Sequence, residues 1–201
     1  METLHSLLKK VFGYDTFRKG QEEIIQSILE GRDVMAALPT GGGKSLCFQL
    51  PTLFLSGVTL VISPLISLMK DQVDGLKKMG LAAAAWNSAT SQSQASEILN
   101  LALCDQLKLL YVAPERLEME DFVSFLGRVN ISLVVVDEAH CISQWGHDFR
   151  PSYRKISSAL GKLPQRPPIA AFTATATEQV REDIITLMEL QAPKVVITGF
   201  D

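Results

Sequence analysis

The stretch that most constrains this chain is 38–46, which reads LPTGGGKSL. An apolar run from Val34 to Leu38 leads into Pro39 and Thr40. Three glycines follow, then Lys44 and Ser45, then the helix-compatible stretch Leu46 to Leu50. That order reads as strand, tight turn, helix. Consecutive glycines let the backbone take positive φ and turn successive N–H groups toward one anion. The helix behind them adds unpaired N–H groups and the positive end of its dipole. Lys44 offers a mobile cation for β- and γ-phosphates, and the Ser45 hydroxyl can ligate magnesium. The general phosphate-loop pattern has glycine where Leu38 stands, but Gly41 and Gly43 still serve the turn. A glycine-rich turn that merely precedes a lysine is the plain alternative. The flanking strand and helix and the Lys-Ser pair in register count against it, so Thr40, Gly41, Gly42, Gly43, Lys44 and Ser45 are read as a nucleotide cradle.

Around this loop, short apolar runs alternate with helical patterns. The strand candidates are 33–37, 58–62, 82–86, 108–112, 132–136, 168–172 and 194–198. Helical stretches lie near 44–55, 65–79, 92–103, 119–127, 152–160 and 178–190. Runs such as Leu133 to Val136 are apolar on both faces, which suits a parallel strand covered on each side by helices. The expected fold is a doubly wound, mainly parallel α/β sheet with helices on both faces. It forms one domain over 1–201, opened by a helical segment over 1–31 in which Leu4, Leu7, Leu8 and Val11 keep helical spacing before Gly13.

Composition excludes more than it assigns. The chain has 201 residues, 47% hydrophobic and 20% charged, enough for a sizeable core and far from a disordered segment. A net charge of −3 argues against a dedicated nucleic-acid wrapper while leaving room for a local basic groove. No apolar run approaches the ~18 residues of a membrane span, and the N-terminus lacks the pattern of a signal peptide. Cys47, Cys104 and Cys141 have no C-x-x-C spacing and read as small buried hydrophobes in a reducing compartment. A soluble cytoplasmic protein without a membrane partner is expected.

Sheets of this kind bind ligands beyond the carboxyl ends of their strands. After Val136 come Asp137, Glu138, Ala139 and His140. An acid there, opposite a phosphate loop, is where a nucleotide hydrolase makes its second magnesium contact. Asp137 is read as holding the metal through water, and Glu138 as the general base for the attacking water. An exposed turn acid is the alternative. In the following loop Trp145, His147, Phe149 and Tyr153 keep no helical or strand period, and Gly146 and Pro151 break regular structure. Rings interleaved with Arg150 suit single-stranded nucleic acid, where stacking is worth ~1–3 kcal/mol per base. Rings folded back over the core fit the composition equally well.

Three further segments carry weaker signals. Ser63 and Lys70 could grip a backbone phosphate, or Ser63 could cap a helix with Pro64 in its first turn. Thr173 and Thr175 could tie the site to neighbouring loops, although Thr175 and Glu178 have capping-box spacing. Upstream of the phosphate loop, the Gln21 amide matches an adenine edge, Arg18 lies beside it in the sequence, and Tyr14 or Phe17 could stack on a base.

Taken together, FRKGQ at 17–21, LPTGGGKSLC at 38–47, SPLISLMKDQV at 63–73, YVAPERL at 111–117, DEAHCISQWGHDFRPSY at 137–153 and FTATAT at 172–177 resemble the first motor domain of RecQ-family DNA helicases in superfamily two. The resemblance implies a RecA-like phosphate-loop domain and an ATP- and magnesium-dependent 3′-to-5′ helicase acting in DNA recombination and repair. It implies that Gln21 and Arg18 read adenine with Tyr14 packed near the base. Lys44, Ser45, Asp137 and Glu138 would bind and hydrolyse magnesium–ATP. His140, Trp145, His147, Phe149 and Arg150 would make hydrolysis depend on single-stranded DNA. Ser63, Lys70 and the Thr173–Thr175 segment would touch DNA or link the sites. The partners implied are single-stranded and partly duplex DNA and a second motor domain that supplies an arginine finger. Gly199-Phe200-Asp201 falls where the linker to that domain would begin, so the chain reads as a piece of a longer protein, incapable of unwinding alone. Location would be cytoplasmic, on the nucleoid in a bacterium or nuclear in a eukaryote. An RNA-directed motor, a phosphate-loop kinase and a nucleotide-gated binding module without turnover are the rival readings; no arginine-rich lid segment supports the kinase.

Overall fold

The computed structural model describes residues 2–175 and 177–199. Met1, Phe200, Asp201 and Ala176, which belongs to the FTATAT segment, lie outside the described residues. Seven strands form within one or two residues of their expected bounds: β1 Val34–Ala37, β2 Val58–Ile62, β3 Ala83–Trp86, β4 Leu109–Val112, β5 Ile131–Val136, β6 Ile169–Thr173 and β7 Lys194–Ile197. They make one sheet in the order β3-β4-β2-β5-β6-β1-β7, and every pairing is parallel. Parallel neighbours need crossovers, and helices supply them. The crossover helices are α3 Lys44–Gln49, α4 Ile66–Lys78, α5 Gln92–Leu103, α6 Glu120–Leu126, α7 Ile156–Leu160 and α8 Glu178–Leu187, while α1 Leu4–Leu7 and α2 Gln21–Leu29 precede β1.

Successive strand residues point to opposite faces. Leu60, Ile62, Val134 and Val136 therefore enter one core layer with Ile98 of α5, Phe122 of α6, Ile156 of α7 and Ile184 of α8. Val61, Leu133 and Val135 enter the other with Ile24 of α2, Phe48 of α3 and Val73 of α4. The doubly wound α/β architecture follows, as the two-sided apolar runs require. A smaller cluster of Leu8, Ile25, Leu46 and Leu50 packs the N-terminal segment onto the helix behind the phosphate loop.

Several boundaries differ from expectation for identifiable reasons. The helix expected over 44–55 stops at Gln49, because Pro51 lacks an N–H donor and opens a separate 3₁₀ turn, Pro51–Leu53. The opening helix continues beyond α1 as a π-helical turn over Leu8–Phe12 and ends at Gly13, whose φ of 77° closes it. Cys104 caps α5 and is exposed, so only Cys47 and Cys141 fit the buried reading.

At the amino ends of the strands, Asp33 acts as a tie. Its side chain is 2% exposed and takes two contacts from Arg166, at 2.6 and 3.1 Å. It also accepts the N–H groups of Ile169 at 2.9 Å and Gln191 at 2.7 Å. One carboxylate thus joins the starts of β1 and β6 to the turn before β7.

Candidate active site

The phosphate loop leaves β1 through Leu38, whose N–H donates to the Thr173 carbonyl at 3.0 Å. Gly41 and Gly43 both have φ of +78°, as the turn requires, and a Cβ on Gly42 would stand 2.8 Å from the Pro39 carbonyl oxygen. No side chain caps the first turn of α3, so its N–H groups stay open toward the loop. Arg18 donates to the Gly41 carbonyl. Gln21 is buried, with its amide engaged at both ends: its oxygen accepts from Arg18 N at 2.8 Å and its nitrogen donates to the Gly43 carbonyl at 3.1 Å. An adenine edge would have to replace those partners. Phe17 and Arg18 line an open 480 Å³ cavity beside the loop, while Tyr14 stands 54% exposed.

At the end of β5 the chain turns sharply. Glu138 has φ of 51°, a left-handed conformation costing a non-glycine residue ~1–2 kcal/mol. Two hydrogen bonds hold the turn: Glu138 N–H donates to Asp137 Oδ1 at 2.9 Å, and the Tyr153 hydroxyl donates to the Asp137 carbonyl at 2.8 Å. The turn brings Glu138 Oε1 to 3.9 Å from Lys44 Nζ. Asp137 shares a small 60 Å³ cavity with Ser45. Burial, reinforced by the neighbouring Glu138 charge, pushes the Asp137 carboxyl up to about 6, against the pull of Lys44 and of its backbone hydrogen bond. A half-buried carboxylate so poorly compensated, sharing a cavity with a serine hydroxyl, is a donor set of hard oxygens suited to magnesium.

His140 links this turn to the next strand end. Its Nδ1 lies 2.9 Å from Thr173 Oγ1 and 3.4 Å from Glu138 Oε2. The Thr173 hydroxyl donates to the Thr175 carbonyl at 2.9 Å, so it accepts from a protonated Nδ1. Burial lowers the His140 pKa despite Glu138, which favours this neutral tautomer. The His147 ring stacks on His140 at 4.2 Å, and His147 Nδ1 lies 3.5 Å from Thr175 Oγ1.

The ring-rich loop divides between the two readings left open for it. Tyr153 is fully buried against the Asp137 turn, whereas Trp145 stands 75% exposed. Phe149 is partly exposed under the Arg154 guanidinium, 5.6 Å away, and Arg150 is paired with Asp148 at 3.0 Å. The loop is pinned by fully buried Ser143, which donates to Asp183 of α8 at 2.6 Å and accepts from Trp145 N at 3.1 Å.

A family model described as "DEAD/DEAH box helicase" matches residues 18–184. The chain belongs to the DEAD/DEAH box helicase family. Within it, the chain is 50% identical over 196 residues to the ATP-dependent DNA helicase RecQ of Bacillus subtilis, covering 97% of this chain and 33% of that protein. It is 48% identical over 200 residues to the RecQ of Pasteurella multocida, covering 100% and 32%. The rat ATP-dependent DNA helicase Q5 is 44% identical over 198 residues, covering 94% and 20%. The chain thus spans about a third or less of these curated relatives. The fold is also that of a hypothetical ATP-dependent RNA helicase from Sulfolobus tokodaii, with TM-score 0.72 at 21% identity, covering 98% of this chain and 57% of that one. The Pyrococcus furiosus Hef helicase domain gives TM-score 0.67 at 18% identity, covering 90% and 38%.

In this DEAD/DEAH box domain the strand-end residues converge, while a far roomier cavity lies away from the site. That 610 Å³ cavity surrounds Arg166, Ile169 and Glu189 at the amino ends of the strands. Two capping expectations are corrected. Ser63 is not a cap: Leu65 precedes α4, and Ser63 Oγ accepts from Leu65 N at 3.4 Å. Nor do Thr175 and Glu178 form a capping box, because Thr177 caps α8 by accepting from Val180 N. That leaves Thr175 facing His147. Lys70 is exposed on α4, beyond the exposed Leu65, Ile66 and Leu68. Ser143 and Asp183, which anchor the loop, and Arg154, which covers Phe149, were missed by sequence reasoning. A buried serine paired 40 residues downstream leaves no local signal.

Proposed function

We propose that this chain binds ATP with magnesium and hydrolyses it as the first motor unit of a RecQ-type DNA helicase. The observation that carries the reading is the convergence of Lys44 and Ser45, after β1, with Asp137 and Glu138, after β5. Lys44 and the loop N–H groups hold the β- and γ-phosphates. Ser45 and Asp137 hold magnesium, which when bound neutralises charge on the phosphate oxygens. Glu138 takes the proton of the attacking water, and His140, anchored on Thr173, orients that carboxylate. Tyr14 and Phe17 pack near the base, and Arg18 and Gln21 read its edge by exchanging their backbone partners.

Exposed Trp145 and Phe149, with Arg150, stack on and grip single-stranded DNA; Ser63 and Lys70 hold its backbone. His147, lying between that loop and His140, relays DNA occupancy to Glu138. The great length of the relatives beyond this match supports a further motor domain as partner and partly duplex DNA as substrate. No described helix is long and apolar enough to cross a membrane. The test is Glu138→Gln in the longer parent protein. Nucleotide binding is expected to persist while phosphate release slows by ~10²–10⁴. Release at the parental rate would exclude Glu138 as base.

A further inference from the structure

The cavity between Ser45 and Asp137 has a polar wall that neither the phosphate loop nor the Asp-Glu turn supplies. Tyr111 lies in β4, 3% exposed, among the apolar strand residues Leu109, Leu110 and Val112. Its hydroxyl accepts from Gln49 Nε2 of α3 at 3.3 Å, and the same nitrogen reaches Gln72 Oε1 of α4 at 3.3 Å. A phenol also has a proton to donate. Among the described residues no protein oxygen takes it. The phenol borders the 60 Å³ cavity together with Ser45, Ser63 and Asp137, a volume that holds about one or two waters. Burial, with the Asp137 charge adding to it, raises the phenol to about 12, so it remains a donor at neutral pH.

Phenylalanine would fill this apolar strand equally well, and a buried hydroxyl is costly unless both its functions are used. Gln49 uses only one. Magnesium gives up water reluctantly and, on one or two protein oxygens, keeps several coordinated waters that need partners of their own. We propose that Tyr111 is a positioning residue for the divalent cation, its hydroxyl donating to a water coordinated to the ion held by Ser45 and Asp137. This rests on the reading that those two residues hold magnesium with nucleotide. The competing account is that the hydroxyl only anchors Gln49 and so steadies α3.

The test is equilibrium binding of a fluorescent ADP to this chain, first with chelator and then along a magnesium titration, for the unaltered chain, Tyr111→Phe and Gln49→Met. Thermal unfolding is measured for each. Tyr111→Phe is expected to melt with the parent and bind metal-free nucleotide equally. The magnesium concentration for half-maximal enhancement should rise about tenfold, the usual scale for losing a partner behind a metal's ligands. Gln49→Met, which keeps the phenol, should shift that midpoint less than about twofold. An unmoved midpoint in Tyr111→Phe overturns the proposal. So does a shift matched by Gln49→Met, or a Tyr111→Phe loss confined to metal-free binding, since either means that the phenol acts through α3. If the unaltered chain shows no magnesium enhancement, the nucleotide-site reading fails and takes this proposal with it; the other adverse results leave that reading standing.

Discussion

Asp33 and Asp137 are both carboxylates at strand ends, one before β1 and one after β5, and their surroundings differ. Asp33 is saturated by Arg166 and two backbone N–H groups, so its charge is matched where it stands. Asp137 is half-buried with a second carboxylate beside it, Lys44 as its counter-charge, and a cavity in front. The amino ends of the strands hold a closed electrostatic account, while the carboxyl ends hold an open one. On the proposed reading, stability resides at the first and chemistry at the second. On that reading a deficit of cation at a strand end, rather than the 610 Å³ cavity at the other end, marks the ligand site.

The largest expected effect tests how open the second end is. Its arginines are already committed: Arg18 to the Gly41 carbonyl, Arg150 to Asp148 and Arg154 to the Ile142 carbonyl at 2.7 Å. An arginine finger supplied from outside is worth ~10³–10⁵ in turnover. Residues 1–201 alone should therefore hydrolyse ATP slower by that order than the full-length Bacillus subtilis relative when single-stranded DNA is present. Comparable stimulated rates in a coupled assay would mean that a catalytic arginine lies among these residues.

Next comes the closed end. Asp33→Ala removes the carboxylate partner of Arg166 and leaves the N–H groups of Ile169 and Gln191 without their acceptor, so the chain should lose about 3–5 kcal/mol in denaturant unfolding. A loss under about 1 kcal/mol would show that water replaces those contacts freely and that the contrast with Asp137 is overstated.

Asp137→Asn should act in the opposite sense and only at higher pH. A carboxyl raised to about 6 in the folded chain, from an ordinary 3.8, contributes stability below about 4 that is lost as pH rises through 6. Without nucleotide or metal, the asparagine variant should escape that loss. Its advantage over the parent should grow between pH 4 and 7, toward roughly 3 kcal/mol. Parallel stability profiles would mean that Asp137 ionises normally and that the open end is no less compensated than the closed one.

The two ends were also unequally legible. Each motif at the carboxyl ends is local: an apolar run, then Gly-Gly-Gly-Lys-Ser or Asp-Glu-Ala-His within a few residues, and the parallel sheet aligns them. Asp33 gave no such signal, since Arg166 lies 133 residues away in a proline-rich turn. The ring-rich loop was undecidable because composition does not say which ring meets the core. Tyr153 does, through the Asp137 carbonyl, and Trp145 does not. Capping went wrong where hydroxyls crowd: Thr175 and Thr177 both suit the role, and it is Thr177, with an extended backbone, that accepts from Val180 N. Tyr111 was hidden in an apolar strand, where a single hydroxyl reads as one more buried ring.

The most direct test of the open end as a nucleotide site is calorimetric titration of magnesium–ADP into this chain and into Lys44→Ala. Lys44 lies 3.9 Å from Glu138, and a charge-assisted phosphate contact is worth ~1.5–3 kcal/mol. The account predicts weak but measurable binding to the unaltered chain and at least a roughly tenfold lower affinity in the variant. Equal affinities in two folded proteins would contradict it.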